Sequence, residues 1–380
     1  MKPTLQQIEQ AKRDKLKKEK PLVFDKILKI KERHEQGIAT PIIDIAYSYL
    51  CNLSCDHCTA WRGRWTRPKT ERILTPQDLR RMSDEAHELG LAQFCISGGE
   101  PTVFKDIDEV ILALQPDKFH LTMSTHGHFL TKEKAKHYKD LGLDKVKISL
   151  DDFDPKMHDA NRHSDGAYDK ALRAMENARE VGLGVVVQSC VTHQNCQTGQ
   201  MLDMAKFATE NDYTVDILAA RPTGSWEGRY DVLITPEDED YLFALHQEYP
   251  CLHRDVWPAY GMDKGCGAVH STLHITQHGD IMPCVYIHIG IGNIFTGTLA
   301  DAIKLGQSIK HFKNYSRLCL SSEDRNFIKN YMAKSYGQRL PIHWSEAFGP
   351  EDFIEGTWPP VDVNTGIGMG KYEKEVAAAG

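Results

Sequence analysis

The 380-residue chain has no apolar run approaching the roughly 20 residues a membrane-spanning helix requires, so no membrane partner is expected. Its first forty residues are charged and lack an apolar core, so no signal peptide is expected. There is no surplus of positive charge. Lys and Arg total 46 against 53 Asp and Glu, giving a net charge of −7 and a pI near 6.2. That balance argues against a general nucleic-acid surface. Internal repeats and low-complexity segments are also missing. These absences leave a soluble, cytoplasmic globular protein in a reducing compartment, where the ten cysteines would be free thiols.

What is present is an unusual cysteine cluster. Cys51-Asn52-Leu53-Ser54-Cys55-Asp56-His57-Cys58 follows an apolar run and spaces three thiols as Cys-x3-Cys-x2-Cys. Iron–sulfur clusters are normally held by four cysteines, so three thiolates would leave one iron of a cubane open for a small molecule. A zinc knot is the alternative from spacing alone, with His57 as the fourth ligand, although its place beside Cys58 makes joint ligation awkward.

From Ile42 onward short apolar runs alternate with amphipathic segments. Strands are expected at Ile42–Tyr47, Ala92–Ser97, Phe119–Ser124, Lys145–Leu150, Gly184–Cys190 and Thr214–Ala219. Helices are expected at Pro76–Glu88, Asp106–Leu114, Lys132–Leu141, Tyr168–Val181 and Gly199–Glu210. The first has clear start chemistry in Thr75, Pro76 and Asp78. Alternation of this kind implies parallel strands joined by crossovers.

The triplet resembles the hallmark of the radical S-adenosylmethionine (SAM) superfamily, and Ser97-Gly98-Gly99-Glu100-Pro101 resembles that family's second signature. The resemblance implies a [4Fe-4S] cluster on Cys51, Cys55 and Cys58, with SAM on the open iron. It also implies a SAM site formed by His57, near the adenine, and by Gly98, Gly99 and Glu100, near the methionine amino group. Paired glycines allow close backbone approach, and a carboxylate can accept from an ammonium. Lys147-Ile148-Ser149-Leu150-Asp151 and His158-Asp159-Ala160-Asn161-Arg162 resemble the peptide-modifying branch. They imply that Ser149 touches SAM and that Arg162 pairs with its carboxylate. The implied fold is α/β, a partial (β/α)6 TIM-like barrel with its site at the strand C-terminal ends.

A second cysteine region, Cys266-Gly267-Ala268 followed by Gly279-Asp280-Ile281-Met282-Pro283-Cys284, reads as a hairpin across Ser271–Thr276 and Asp280–Pro283. It resembles the SPASM and Twitch domains that carry auxiliary clusters. The resemblance implies one auxiliary [4Fe-4S] cluster on Cys266, Cys284 and Cys319, with Cys251 as candidate fourth ligand; no cysteine follows Cys319 to serve a second. Cys95, Cys190 and Cys196 read as core or structural residues.

The expected organisation is a charged helical extension over 1–40, the barrel over 41–235, the auxiliary domain over 236–320, and a C-terminal helix and tail over 321–380. The resemblance implies reductive cleavage of SAM to a 5′-deoxyadenosyl radical that abstracts a substrate hydrogen. Oxidation of a small polar metabolite is the expected outcome, with electrons from a reductase or a flavodoxin- or ferredoxin-type donor. Peptide maturation and epimerisation are the alternatives, and a zinc-stabilised binding protein the remote one. Asp263 and His270 are candidate proton acceptors, and Arg221 and Glu227 candidate pocket residues.

Overall fold

A computed structural model describes residues 5–60, 65, 71–258, 262 and 265–357. Strands β1 (Ile42–Ser48), β2 (Gln93–Gly98), β3 (His120–Thr125), β4 (Lys145–Ser149), β5 (Gly184–Val191) and β6 (Thr214–Ala219) pair in parallel and in chain order. Helices separate them, and the first, Pro76–Glu88, begins with a Thr75–Asp78 capping box and Pro76 in its first turn. Asp44 in β1 and Asp216 in β6 line one cavity although four strands lie between theirs, so the sheet is curled into a partial barrel.

Strand alternation decides what faces the cavity. Ile43, Ile45, Phe94, Ile96, Leu121, Met123, Val146, Ile148 and Val187 point outward and are buried beneath the helices. Each fully buried side chain of this size contributes roughly 1.5–3 kcal/mol. Between them Asp44, Cys95, Ser97, Ser124, Lys147, Gln188 and Asp216 face inward. Branched aliphatic layers fill an ordinary closed barrel. Here the interior is polar and hollow, which suits a ligand.

The sheet extends past both edges of the barrel. After the helix Pro236–Glu248, β7 (Leu252–His253) pairs in parallel with β6. The hairpin of β8 (Thr272–Ile275) and β9 (Asp280–Met282) joins the other edge, β8 lying parallel to β1, and β11 (Gly292–Asn293) continues from β9. β10 (Ile289–Gly290) and β12 (Ile342–His343) form a separate pair. The division expected at 235/236 therefore does not coincide with the end of the barrel sheet, because β7 and the hairpin are built into it. Residue 249 onward carried no helix or strand periodicity long enough to reveal β7.

The N-terminal helices Pro21–Leu28 and Ile30–Glu35 pack beneath the strand N-terminal ends, where Lys26 Nζ bonds the Lys118 carbonyl and Arg33 that of Gly90, and the helix Leu5–Glu19 packs on the first of them. Lys20 Nζ pins them there, meeting Asp144 at 2.5 Å and the carbonyls of Phe119 and Gly142. Among the described residues no helix is long and apolar enough to cross a membrane.

Candidate active site

β1 delivers its chain directly into the triplet, and the loop is tied down on several sides. Gly99 and Glu100 donate their N–H groups to the Ser48 and Leu50 carbonyls at 2.7 and 2.8 Å. Asp56 N–H donates to the Asn161 carbonyl, and Ser225 N–H to that of Cys58. Leu53 N–H points at Cys51 Sγ, 3.4 Å away. Burial and then the neighbouring Cys55 thiol push Cys58 up to about 11. Thiols gathered in this way are a soft donor set suited to iron–sulfur chemistry.

His57 is half-buried, 6.0 Å from Trp226 between ring centres, and burial lowers it to about 4, so its imidazole is neutral near pH 7. Gly98 adopts φ +106°, and a Cβ there would lie 2.4 Å from the Ser48 carbonyl. One on Gly99 would lie 2.0 Å from that of Leu50. Both glycines thus let the second signature press against the triplet loop. Ser149 ends β4 on the inward-facing register of Lys147.

Glu100 also has protein partners. Its buried carboxylate accepts from Thr125 Oγ1 at 2.6 Å, from His126 N–H at 2.9 Å, and from the hydroxyl and N–H of Thr102. Three of these donors meet Oε1 and only His126 N–H meets Oε2, so Glu100 clasps the exits of β2 and β3 while Oε2 keeps room for a further donor. His126 completes that clasp. Its Nδ1 accepts from His128 N–H, which leaves Nε2 to donate to Asn52 Oδ1 at 2.9 Å.

Arg162 also has a protein partner. Its Nε and Nη2 donate to Asp151 Oδ2 at 2.8 and 2.7 Å, and Nη1 lies 3.7 Å from Cys55 Sγ. Although burial opposes its charge, Asp151 is held below the usual carboxylate range by Arg162, His57 and His158. The arginine expected to meet the SAM carboxylate thus braces a cluster thiol from a fixed ion pair.

Cys266, Cys284 and Cys319 all line the cavity. A hydrogen bond between Cys266 and Cys319 holds Cys319 well below the ordinary thiol value, with help from Arg221, and raises Cys266. Burial pushes Cys284 up to about 12. The cavity, about 310 Å³, reaches from Thr59, Ala60 and Gly98 to these three thiols.

Cys251 is not with them. It precedes β7 at the strand N-terminal end, with its thiol against the Ala205 carbonyl and Thr209. His270 is likewise misplaced for proton transfer. Its Nε2 bonds the Lys313 carbonyl, and its own carbonyl accepts from Thr40 below β1. Asp263 lies outside the described residues. Glu227 bonds Gly337 N–H, away from the cavity lining, whereas Arg221 is on the wall as expected.

Two cysteines read as apolar core face inward instead. Cys95 lines the cavity and Cys190 shares the inward register of Gln188. Cys196 is buried with its thiol on the Asp238 carbonyl, a structural contact. The sequence reading missed the ion pair of Lys147 and Asp216 at 3.0 Å, and the cluster in which Ser97 Oγ and His274 Nδ1 both bond Asp44 Oδ1, at 2.6 and 2.7 Å. A charged residue inside an otherwise apolar strand (Asp44, Lys147 and Asp216) was the available signal.

Known proteins agree with this geometry. The family model described as "Radical SAM superfamily" matches residues 45–208. The chain is 30% identical over 269 residues to the mycofactocin maturase MftC of Mycolicibacterium smegmatis, covering 67% of each chain. It is 22% identical over 318 residues to the AdoMet-dependent heme synthase of Nitratidesulfovibrio vulgaris, covering 75% of this chain and 85% of the relative. Among solved structures, anSMEcpe with bound AdoMet superposes with a TM-score of 0.53 at 17% identity, over 70% of this chain and 80% of that one. This likeness bears on the fold alone. Members of the family use a [4Fe-4S] cluster and SAM, and a thiol triplet at the exit of β1 in a hollow parallel barrel belongs with that chemistry. The chain belongs to the radical SAM superfamily.

Proposed function

We propose that the protein is a radical SAM oxidoreductase that holds a small polar molecule between two iron–sulfur sites. The observation that carries this reading is the continuous cavity running from the triplet side to Cys266, Cys284 and Cys319. When bound, the triplet cluster with SAM supplies a 5′-deoxyadenosyl radical, and an auxiliary cluster on the other three thiols supplies an electron acceptor. His57, Gly98, Gly99 and Ser149 would flank SAM, while Arg162 steadies Cys55. A volume of about 310 Å³ is at the small end for a ligand pocket, and its inward charges favour a polar occupant.

In this reading His274 takes the place of His270 as a proton acceptor. Asp44 takes its Nδ1–H, which leaves the Nε2 lone pair for a proton leaving the substrate. An electron donor of the reductase, flavodoxin or ferredoxin type and a cytoplasmic setting belong to the same reading.

The test is iron and labile sulfide in anaerobically reconstituted protein, compared with a Cys51/Cys55/Cys58→Ala variant. With four irons per cubane, roughly eight irons falling to about four are expected. About four falling to none would remove the auxiliary cluster and the oxidative reading with it. Redox-neutral epimerisation would then gain ground, with inward-facing Cys190 as hydrogen donor.

Maturation of a peptide is the second reading, favoured by the 30% identity to a maturase. Co-purification with a leader-binding partner and a mass-shifted peptide would establish it in place of a metabolite.

A further inference from the structure

We infer that Arg221 is the anchor for a carboxylate on the substrate. The inference rests on reading the interior cavity as the substrate site. Arg221 follows β6 and is only 9% exposed. Its guanidinium carbon lies 3.7 Å over the Tyr286 ring, and Nε donates to Ser321 Oγ at 3.4 Å. Those contacts fix the plane of the group and use a single N–H. Nη1 and Nη2 have no hydrogen-bond partner among the described residues, and Arg221 lines the cavity.

The other cations on this wall are neutralised. Lys147 pairs with Asp216, and Arg254 with Glu239 and Glu323. Asp255 also lines the cavity and favours the charge of Arg221 without forming an ion pair with it. Nearby negative groups thus favour the Arg221 charge, but among the described residues no ion pair takes up its two Nη groups, and burying a guanidinium without one is costly. Its free fork of two N–H donors matches the two oxygens of a carboxylate.

Thiolate sulfur is the competing partner. At the triplet, Arg162 reaches Cys55 Sγ at 3.7 Å. Arg221 makes no such contact with Cys284 or Cys319, although both favour its charge. A single negative charge also fits the surroundings better than a phosphate, because Asp44, Asp216 and Asp255 already face the cavity. The carboxylate could belong to a free hydroxy acid or to a peptide terminus.

The experiment is calorimetric titration of the oxidised, SAM-saturated holoenzyme with acetate and with acetamide. Wild type should bind acetate and not acetamide. Arg221→Gln should weaken acetate at least about tenfold, the loss expected for a charge-assisted hydrogen bond, while keeping its iron. Arg221→Lys, which retains the charge without the fork, should fall between and serves if the glutamine variant does not fold. Tighter binding of gluconate than of acetate would identify a free hydroxy acid, and tighter binding of N-acetyl-alanyl-alanine a peptide terminus. Acetate binding that is absent in wild type, equalled by acetamide, or unchanged in Arg221→Gln overturns the anchor. So does a variant that shifts the auxiliary cluster's potential while acetate binding stays the same, since Arg221 would then serve the cluster. Binding is read without turnover, so a failed iron count would sink the two-cluster reading and leave the anchor standing.

Discussion

Gly224 lies against the backbone of Cys58, so closely that a Cβ on it would meet the Cys58 carbonyl oxygen at 2.1 Å and Thr59 Cα at 2.6 Å. Its φ of +63° is also left-handed. The loop after β6 therefore clamps the triplet from across the barrel. Gly224→Ala should displace Cys58 and remove the triplet cluster, lowering iron from roughly eight to about four per chain. Iron analysis beside the triple-cysteine variant checks this, and an undiminished count would show that the clamp is dispensable.

Asp151 is the sole carboxylate on buried Arg162 and also accepts from Cys190 N–H at 3.1 Å. Asp151→Asn keeps the shape and strands the guanidinium, which should cost about 3–5 kcal/mol. Urea unfolding of the anaerobic protein measures this. A loss below 1 kcal/mol would mean that solvent or the cluster already compensates the charge.

Much of this arrangement was legible in the chain, and what was hidden has a common cause. Thr75, Pro76 and Asp78 are local signals, and the helix they announce forms over Pro76–Glu88 as expected. The triplet and the Gly98-Gly99 turn are short motifs at a strand end, so they too could be read. Which face of a strand looks inward could not. Cys95 sits between Phe94 and Ile96 and reads as core, yet curvature of the sheet turns it to the cavity. The hydrogen bonds of Glu100 could not be read either, because Thr125 and His126 lie at the exit of another strand. Cys251 was a candidate through the resemblance, and a linear pattern of cysteines cannot tell one end of a barrel from the other.

Cys251→Ser should leave the iron content unchanged and alter stability by less than about 1 kcal/mol, since its thiol only touches Thr209 and the Ala205 carbonyl. The same iron assay decides it. Loss of about four irons would return Cys251 to the auxiliary site.

Burial lowers His126 and His288 from the ordinary 6.5 to about 3 each. Below pH 6.5 the unfolded chain takes up these protons and the folded chain does not. Stability should therefore fall as the pH drops from about 6.5 towards about 3, by up to roughly 1.4 kcal/mol per pH unit for each histidine. Thermal unfolding at pH 7.5, 6.0 and 5.0 should show a falling Tm, with a smaller slope in His288→Asn. A Tm independent of pH over this range would contradict the buried, neutral assignment.

The pairing of β8 with β1 joins Ile42–Ile45 to Thr272–Ile275, so the first strand of the barrel waits for a partner made late in translation. Until the ribosome has released that hairpin, the strand that leads into the cysteine triplet has an open edge. The nascent chain thus exposes its triplet loop before the wall carrying Cys266 and Cys284 can close over the cavity.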